Sequence, residues 1–363
     1  MLPVLGAGPK EGPPDPRREA GAKALKILGA AGKHDDADIR VLAAEQWGQI
    51  GNSAAVPLLK EALGDVNPYV RIAAGRSLYA LGDSSGVQTI EKIVATVPKP
   101  AQTDEALAAI EEMRMLARNK VRIVGIRALA AMGSTTSVKV LVEARDGGDG
   151  GVRDASTLAL IRLGAAEQEG FVDALANGDP EVRAKAARSL AEIAAPGMAS
   201  ILEPLVSDKD YTVRAAALEA LGATKSPDAL EALRKGFGDQ NDLVRAKAVE
   251  AAGAIPCPES LALLREALKS GNGRIELLAI LGLARQGQGV DSSLAERALA
   301  QPDVDARMLA IEVLESAPGE RPFSALERAI DDRDPKVRVR AAAGLLKRLR
   351  RPAPEPAASG KAR

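Results

Sequence analysis

Apolar and polar positions recur along this chain in a fixed order. Around Arg71, apolar or small residues stand one position before the arginine and three, four, seven and ten after it: Val70, Ala74, Gly75, Leu78 and Leu81. The same offsets around Arg153 give Val152, Ser156, Thr157, Leu160 and Leu163. They fall on one side of a helix with 3.6 residues per turn. Ten arginines carry the frame: Arg40, Arg71, Arg122, Arg153, Arg183, Arg214, Arg245, Arg274, Arg307 and Arg338. Their successive gaps are 31, 51, 31, 30, 31, 31, 29, 33 and 31 residues. All but one gap agree with a repeat of about 31, and a period in that range predicts stacked repeats.

Each repeat carries its own start and stop signals. Asp or Asn stands four residues before the arginine in eight cases: Asp36, Asn67, Asp149, Asp179, Asp210, Asn241, Asp303 and Asp334. In several repeats Pro follows at once, as with Pro68, Pro180 and Pro335. A short polar acceptor before Pro starts a helix, because it satisfies orphan amide donors where Pro has none to satisfy. Gly51, Gly82, Gly133 and Gly164 stand eleven residues after their arginines, where a left-handed residue ends a helix. Upstream of each cap lies a shorter amphipathic stretch, such as 54–63, 198–206 or 323–330. Each unit is therefore helix, turn, helix.

The segments Asp179-Pro180-Glu181-Val182-Arg183-Ala184 and Asp210-Tyr211-Thr212-Val213-Arg214-Ala215, with their siblings, resemble the HEAT-like repeat family in its short bacterial, phycobilisome-lyase-type form. The resemblance runs from about Pro16 to Leu349. HEAT repeats commonly have about 40–47 residues, so this is a shortened variant. The resemblance implies an all-α, right-handed α-solenoid of about ten helical hairpins. It implies no activity, because the family shares a scaffold. The signatures of tetratricopeptide and ankyrin repeats are absent.

A chain of 363 residues would ordinarily suggest two or three globular domains. A solenoid grows in one direction, so a single elongated domain over 15–350 suffices. Aromatics are 2% of residues and alanine dominates the helices, so close packing through small side chains is expected. The formal charge is zero, with 49 basic against 49 acidic residues. That balance argues against a nucleic-acid partner, which calls for basic excess and stacking aromatics. One cysteine, Cys257, excludes an internal disulfide. The longest apolar run, 277–284, falls short of a membrane span, and residues 1–10 lack the features of a signal peptide. Cytoplasm is the expected compartment.

Three segments depart from the repeat. Residues 1–14 and 351–363 are rich in Pro, Gly and Ala and read as disordered tails. The basic run Lys347-Arg348-Leu349-Arg350-Arg351 reads as a solvated helix end favoured by the helix dipole, with an acidic partner as the alternative. The long gap after Arg71 holds about 20 extra residues near 98–118. There Thr103-Asp104-Glu105 looks like a helix start, and Ala106, Leu107, Ile110, Met113 and Ala117 make an apolar stripe. An extra helix near 101–118, wedged into the third repeat, is predicted. It either packs on its own array or docks a partner.

Candidate chemistry is thin. Nucleophilic catalysis by Ser-His-Asp or Cys-His needs a histidine base, and the only histidine, His34, lies in the first inter-helix turn far along the array from Cys257. The acidic residues of His34-Asp35-Asp36-Ala37-Asp38 fit a capped helix start better than a metal cluster. Asp146-Gly147-Gly148-Asp149-Gly150-Gly151 lacks the bidentate Glu of an EF-hand. Deoxyhypusine hydroxylase, built on similar repeats, binds iron through His-Glu pairs, and this sequence has none. HEAT-like DNA glycosylases use a basic face with aromatics, whereas the sole tryptophan, Trp47, takes a core position. Nothing marks a bilin site. No catalytic, cofactor-binding or metal-binding residue is assigned.

The repeated arginine stands at the edge of the core face, where it can reach carboxylates or carbonyls of neighbouring turns and build a ladder. Specificity is expected one, two, five and nine residues after it, on the face that lines the concave groove of HEAT-type arrays. Early repeats place Val41, Leu42, Ile72, Ile123 and Val124 there beside Arg76, Arg127 and Arg188. Later ones place Glu219, Glu250, Glu276 and Glu312, interrupted by Lys185, Lys247 and Arg340. Aliphatics beside arginines suit an amphipathic helix or an acidic peptide. Alternatively Ile72, Ile123 and Val124 simply pack between adjacent second helices. Nine steps of roughly 10 Å would make a groove on the order of 90 Å long. The expected function is a non-catalytic scaffold that binds a protein or peptide through its concave face, with an enzyme or enzyme subunit (bilin-lyase-like or a HEAT-like DNA glycosylase) as the alternative.

Overall fold

Each of the eight Asp or Asn residues expected to start a second helix does so in the structure, a computed structural model that describes residues 16–96, 105–166, 172–193 and 198–350. Asp36 accepts the Asp38 amide at 2.8 Å and Asn67 the Tyr69 amide at 2.9 Å. Asp149, Asp179, Asp210, Asn241, Asp303 and Asp334 do the same in their own turns. Each such cap contributes about 1 kcal/mol. At the other ends, Gly51, Gly82, Gly133 and Gly164 take φ between 67° and 84°. Lys225, at φ 53°, occupies the same place without being glycine.

The described residues form nineteen α-helices and no strand. First helices are α1 (Pro16–Ala31), α3 (Val56–Ala62), α5 (Val87–Ala95), α7 (Val138–Asp146), α10 (Met198–Leu202), α12 (Leu230–Phe237), α14 (Pro258–Ala267), α16 (Ser293–Ala298) and α18 (Glu320–Ala329). In this place the described residues of the fifth repeat are helical at 172–173 and continue into the short 3-10 turn Ala174–Ala176. Second helices are α2 (Ala37–Ile50), α4 (Pro68–Ala80), α6 (Glu105–Ala131), α8 (Gly150–Arg162), α9 (Pro180–Ile193), α11 (Tyr211–Thr224), α13 (Asp242–Ala254), α15 (Gly273–Arg285), α17 (Val304–Ser316) and α19 (Pro335–Arg350). No helix among the described residues is long and apolar enough to cross a membrane. The two tails lie outside the described residues.

The described part of the insertion is the first half of α6, continuous with the third repeat's second helix. It is not wedged into the array: Ile110, Met113 and Leu116 are all exposed.

The eighth repeat is set two residues away from its expected register. Its cap is Asn272, which accepts the Arg274 and Ile275 amides, so the position four residues after the cap is Glu276 and not Arg274. With Glu276 in the frame, the gaps of 29 and 33 become 31 and 31. Gly287, at φ 75°, then stands eleven residues on, where the other terminating glycines stand. Glu276 accepts the Gly271 amide at 3.0 Å, a charge-reversed version of the turn contact the arginines make.

The arginines do form rungs where the next turn offers an acid. Arg40 forks onto Asp65 at 2.7 and 3.0 Å, and Arg183 onto Asp208 at 2.8 and 2.8 Å. Arg214–Asp239 and Arg307–Asp332 repeat this across two further joints. The same arginines use Nη1 to hold two carbonyls of their own turn, as Arg183 does with Asn177 and Gly178. Hydrogen bonds from the arginine hold the carboxyls of Asp65, Asp208 and Asp239 below the usual carboxylate range. At the remaining joints the acid is replaced by Leu116, Gly147, Asn177, Ser270, Gln301 or His34.

The array closes on itself. α1 packs along α19, and α2 packs on α19 as well. Ala24 and Leu28 of α1, both fully buried, share one core with Val337, Ala341 and Leu345 of α19. Around this seam Lys23 pairs with Asp331 at 2.7 Å and Arg17 with Glu320. Lys347 donates to Gln49 at 2.9 Å, and Arg350 to the Ile50 carbonyl. Lys347 and Arg350 therefore clasp the first repeat, whereas Arg348 holds the Leu314, Ala317 and Gly319 carbonyls beside its own repeat. A repeat array needs its terminal apolar faces covered, and here the two ends cover each other.

Second helices touch backbone to backbone. A Cβ on Gly253 would lie 2.9 Å from the Gly282 Cα, and one on Gly222 2.7 Å from the Ala251 Cα. In a ring of hairpins the layer with the closest approach is the smaller circle, so second helices form the inner face. The 90 Å open groove is replaced by a closed one.

Candidate functional site: the inner face of the ring

Four of the eight residues expected to bind a partner line one inner-face groove of about 760 Å³: Ile123, Val124, Arg127 and Arg188. It runs from Tyr69, at the start of α4, across α6 and α8 to α9 and α11. Ile123 and Val124 are half-buried, resting on the core of repeats two to four while keeping an open edge. Gly151 helps shape the floor, since a Cβ there would stand 3.3 Å from Ile123 Cδ1. Leu158 of α8 lies beneath them, buried in the floor.

Charge is arranged around these steps. Arg127 pairs with Glu192 at 3.1 Å and Lys185 with Asp154 at 2.7 Å. Lys120 and Arg188 are exposed, line the same groove and have no ion-pair partner among the described residues. The groove therefore keeps two uncommitted positive charges beside an apolar strip.

The other four expected residues are elsewhere. Ile72 is 2% exposed and lies in the core with Ile90, Val94 and Ile126, so it cannot meet a partner. α6 lies directly over it: a Cβ on Gly125 would stand at ordinary contact distance, 3.8 Å, from Ile72 Cδ1. Val41 and Leu42 are half-buried against the core at the closure. Arg76 lines a separate cleft of about 440 Å³ with Glu45, Gln49 and Tyr79. His34 and Asp36 are spent on the first turn, where the Asp36 amide donates to His34 Nδ1 at 3.0 Å.

The acidic row is mostly neutralised within the ring. Glu219 and Glu250 both pair with Lys247, at 3.5 and 2.9 Å, and Glu312 pairs with Arg285. In the corrected register Glu276 leaves the row, and the eighth repeat presents Leu277, Leu278, Leu281 and Arg285 at the four inner-face offsets. These residues line a second cavity, of about 620 Å³, which the uncorrected frame hides. The glycine eleven residues after Glu276 is the signal in the sequence that could have found them.

The helical hairpins agree with the family match. The family profile described as HEAT repeats matches residues 24–111, 169–252 and 237–315, more than half of the chain. The chain belongs to the HEAT-repeat family. Among solved structures, it is similar to an engineered protein at 20% identity, over 90% of this chain and 98% of that one, with a TM-score of 0.34. It is also similar to human deoxyhypusine hydroxylase, solved in complex with glycerol, at 17% identity over 75% of this chain and 96% of the enzyme, with a TM-score of 0.33. No curated protein sequence matches significantly.

Proposed function

We propose that this protein is a non-catalytic scaffold that holds a protein or peptide partner on the inner face of its ring, in the groove across α6, α8 and α9. The observation that carries this reading is the pair of half-buried aliphatics Ile123 and Val124 flanked by Lys120 and Arg188, which have no ion-pair partner among the described residues. Apolar anchors supply affinity, and the free cations favour a segment with acidic residues in a chosen register. An amphipathic helix or an extended acidic peptide has that chemistry.

The test compares wild type with Ile123→Asp combined with Arg188→Glu, after circular dichroism shows equal helix content. Each is immobilised and exposed to lysate of the source organism. A protein held by the wild type and lost by the variant supports the groove. Equal retention by both removes the groove from the binding surface.

A further inference from the structure

We propose that the inner-face cavity between α15, α16 and α17 binds a small amphipathic molecule with a single carboxylate, independently of the partner groove. Its volume of about 620 Å³ lies in the range of small-molecule sites, roughly 300–1,000 Å³. Leu277, Leu278 and Leu281 of α15 and Leu309 of α17 give it an apolar wall. It opens where the ladder is interrupted, because Glu276 stands in the arginine's place and Gln301 where an aspartate would complete the rung.

Arg274 supplies the polar end. It lines the cavity, is exposed, and makes no side-chain hydrogen bond or ion pair among the described residues. The nine other arginines of the repeat pattern all make at least one. A guanidinium presents a planar fork of donors that matches a carboxylate. The remaining charges at the rim are largely occupied: Arg285 holds Glu312, Lys247 holds Glu250, and Asp303 caps α17 through the Ala306 amide. Arg297, which reaches only the Ser293 hydroxyl at 3.4 Å, and Asp305 have no ion pair among the described residues, so with Arg274 they leave one net positive charge at the cavity, which suits a ligand carrying a single negative charge. That selects a monocarboxylate over a phosphate.

The test is calorimetric titration of the full chain with decanoate, 1-decanol and inorganic phosphate. Saturable binding of decanoate is expected, with decanol weaker and phosphate absent. Arg274→Gln should weaken decanoate about tenfold, the loss of one charge-assisted contact. Ala306→Phe, which places a ring at the mouth from a half-buried position, should abolish binding with helix content unchanged. No decanoate binding by the wild type would overturn the proposal. So would equal affinity for decanol or phosphate, or decanoate binding indifferent to both substitutions.

Discussion

Two of the six joints that lack an arginine rung are held in opposite ways. Between the tenth and first repeats the rung position is His34; between the fourth and fifth it is Asn177. The first of these joints is filled by Ala24 and Leu28 against α19 and surrounded by polar clasps. At the second, no core cluster of the described residues runs from α8 into α9. Its ties are polar: Lys185 to Asp154, and Arg162 to the Glu192 carbonyl at 2.6 Å. Ser156, fully buried on α8, has no partner for its hydroxyl among the described residues. The difference follows from connectivity. The chain itself keeps the fourth and fifth repeats together, so packing there can be given up to a groove. Nothing covalent joins the ends, so that joint depends on its core.

The largest effect is expected at the closure. Leu28→Ala leaves a cavity in a fully buried site, which costs about 2–5 kcal/mol. Beyond that cost, it should let α1 leave α19, so small-angle X-ray scattering should show a larger radius of gyration and denaturation should begin at lower urea. An unchanged radius and midpoint would mean that the ends are held by the surface clasps alone.

A rung comes next. Asp208→Ala leaves the Arg183 guanidinium without its fork in a mostly buried setting, at a cost of about 1.5–3 kcal/mol. The effect is pH-dependent. Asp208 titrates lower in the folded protein than its unfolded value near 3.9. The rung's contribution is therefore complete above about pH 4 and is lost as pH falls through the folded pKa. Denaturation midpoints of wild type and Asp208→Ala should differ most near neutrality and converge in acid. A constant difference across that range would assign the loss to packing. Ser156→Ala, at the unfilled joint, should instead raise stability by about 1 kcal/mol, since it removes a buried hydroxyl with no described partner.

What could be read from the sequence was local. Caps such as Asn67 and terminators such as Gly82 act within one turn of chain, so their spacing carried the repeat and the hairpin. Arg183 could be assigned to a ladder because its partner sits one repeat away at a regular offset. Ile72 cannot be placed from its offset alone, because its burial depends on Ile90, Val94 and Ile126 of two other helices packing over it. Arg274 matches the ladder by residue type alone, whereas Asn272 sets the register by capping two residues later than the repeat spacing predicts. Closure depends on α1 meeting α19, more than three hundred residues apart, and no periodic signal reports that contact.

The smallest predicted effect tests whether the open joint could have had a rung. Asn177 already accepts the Asp179 amide at 2.9 Å, as Asp208 accepts the Asp210 amide in the next repeat, so its side chain is in the rung position. Arg153, which would face it, is exposed and reaches only the Gly148 carbonyl at 3.4 Å. Asn177→Asp adds a carboxylate without changing shape. If Arg153 can swing onto it, the joint should gain about 0.5–1 kcal/mol, the scale of a well-placed but partly exposed ion pair, and the gain should shrink in high salt. A salt-sensitive rise in the urea midpoint, absent when Arg153→Gln is added, would show that the fourth and fifth repeats are open for want of one charge. No rise would mean that α8 and α9 stand too far apart for the fork, and that the groove between them is set by backbone geometry and not by the missing acid.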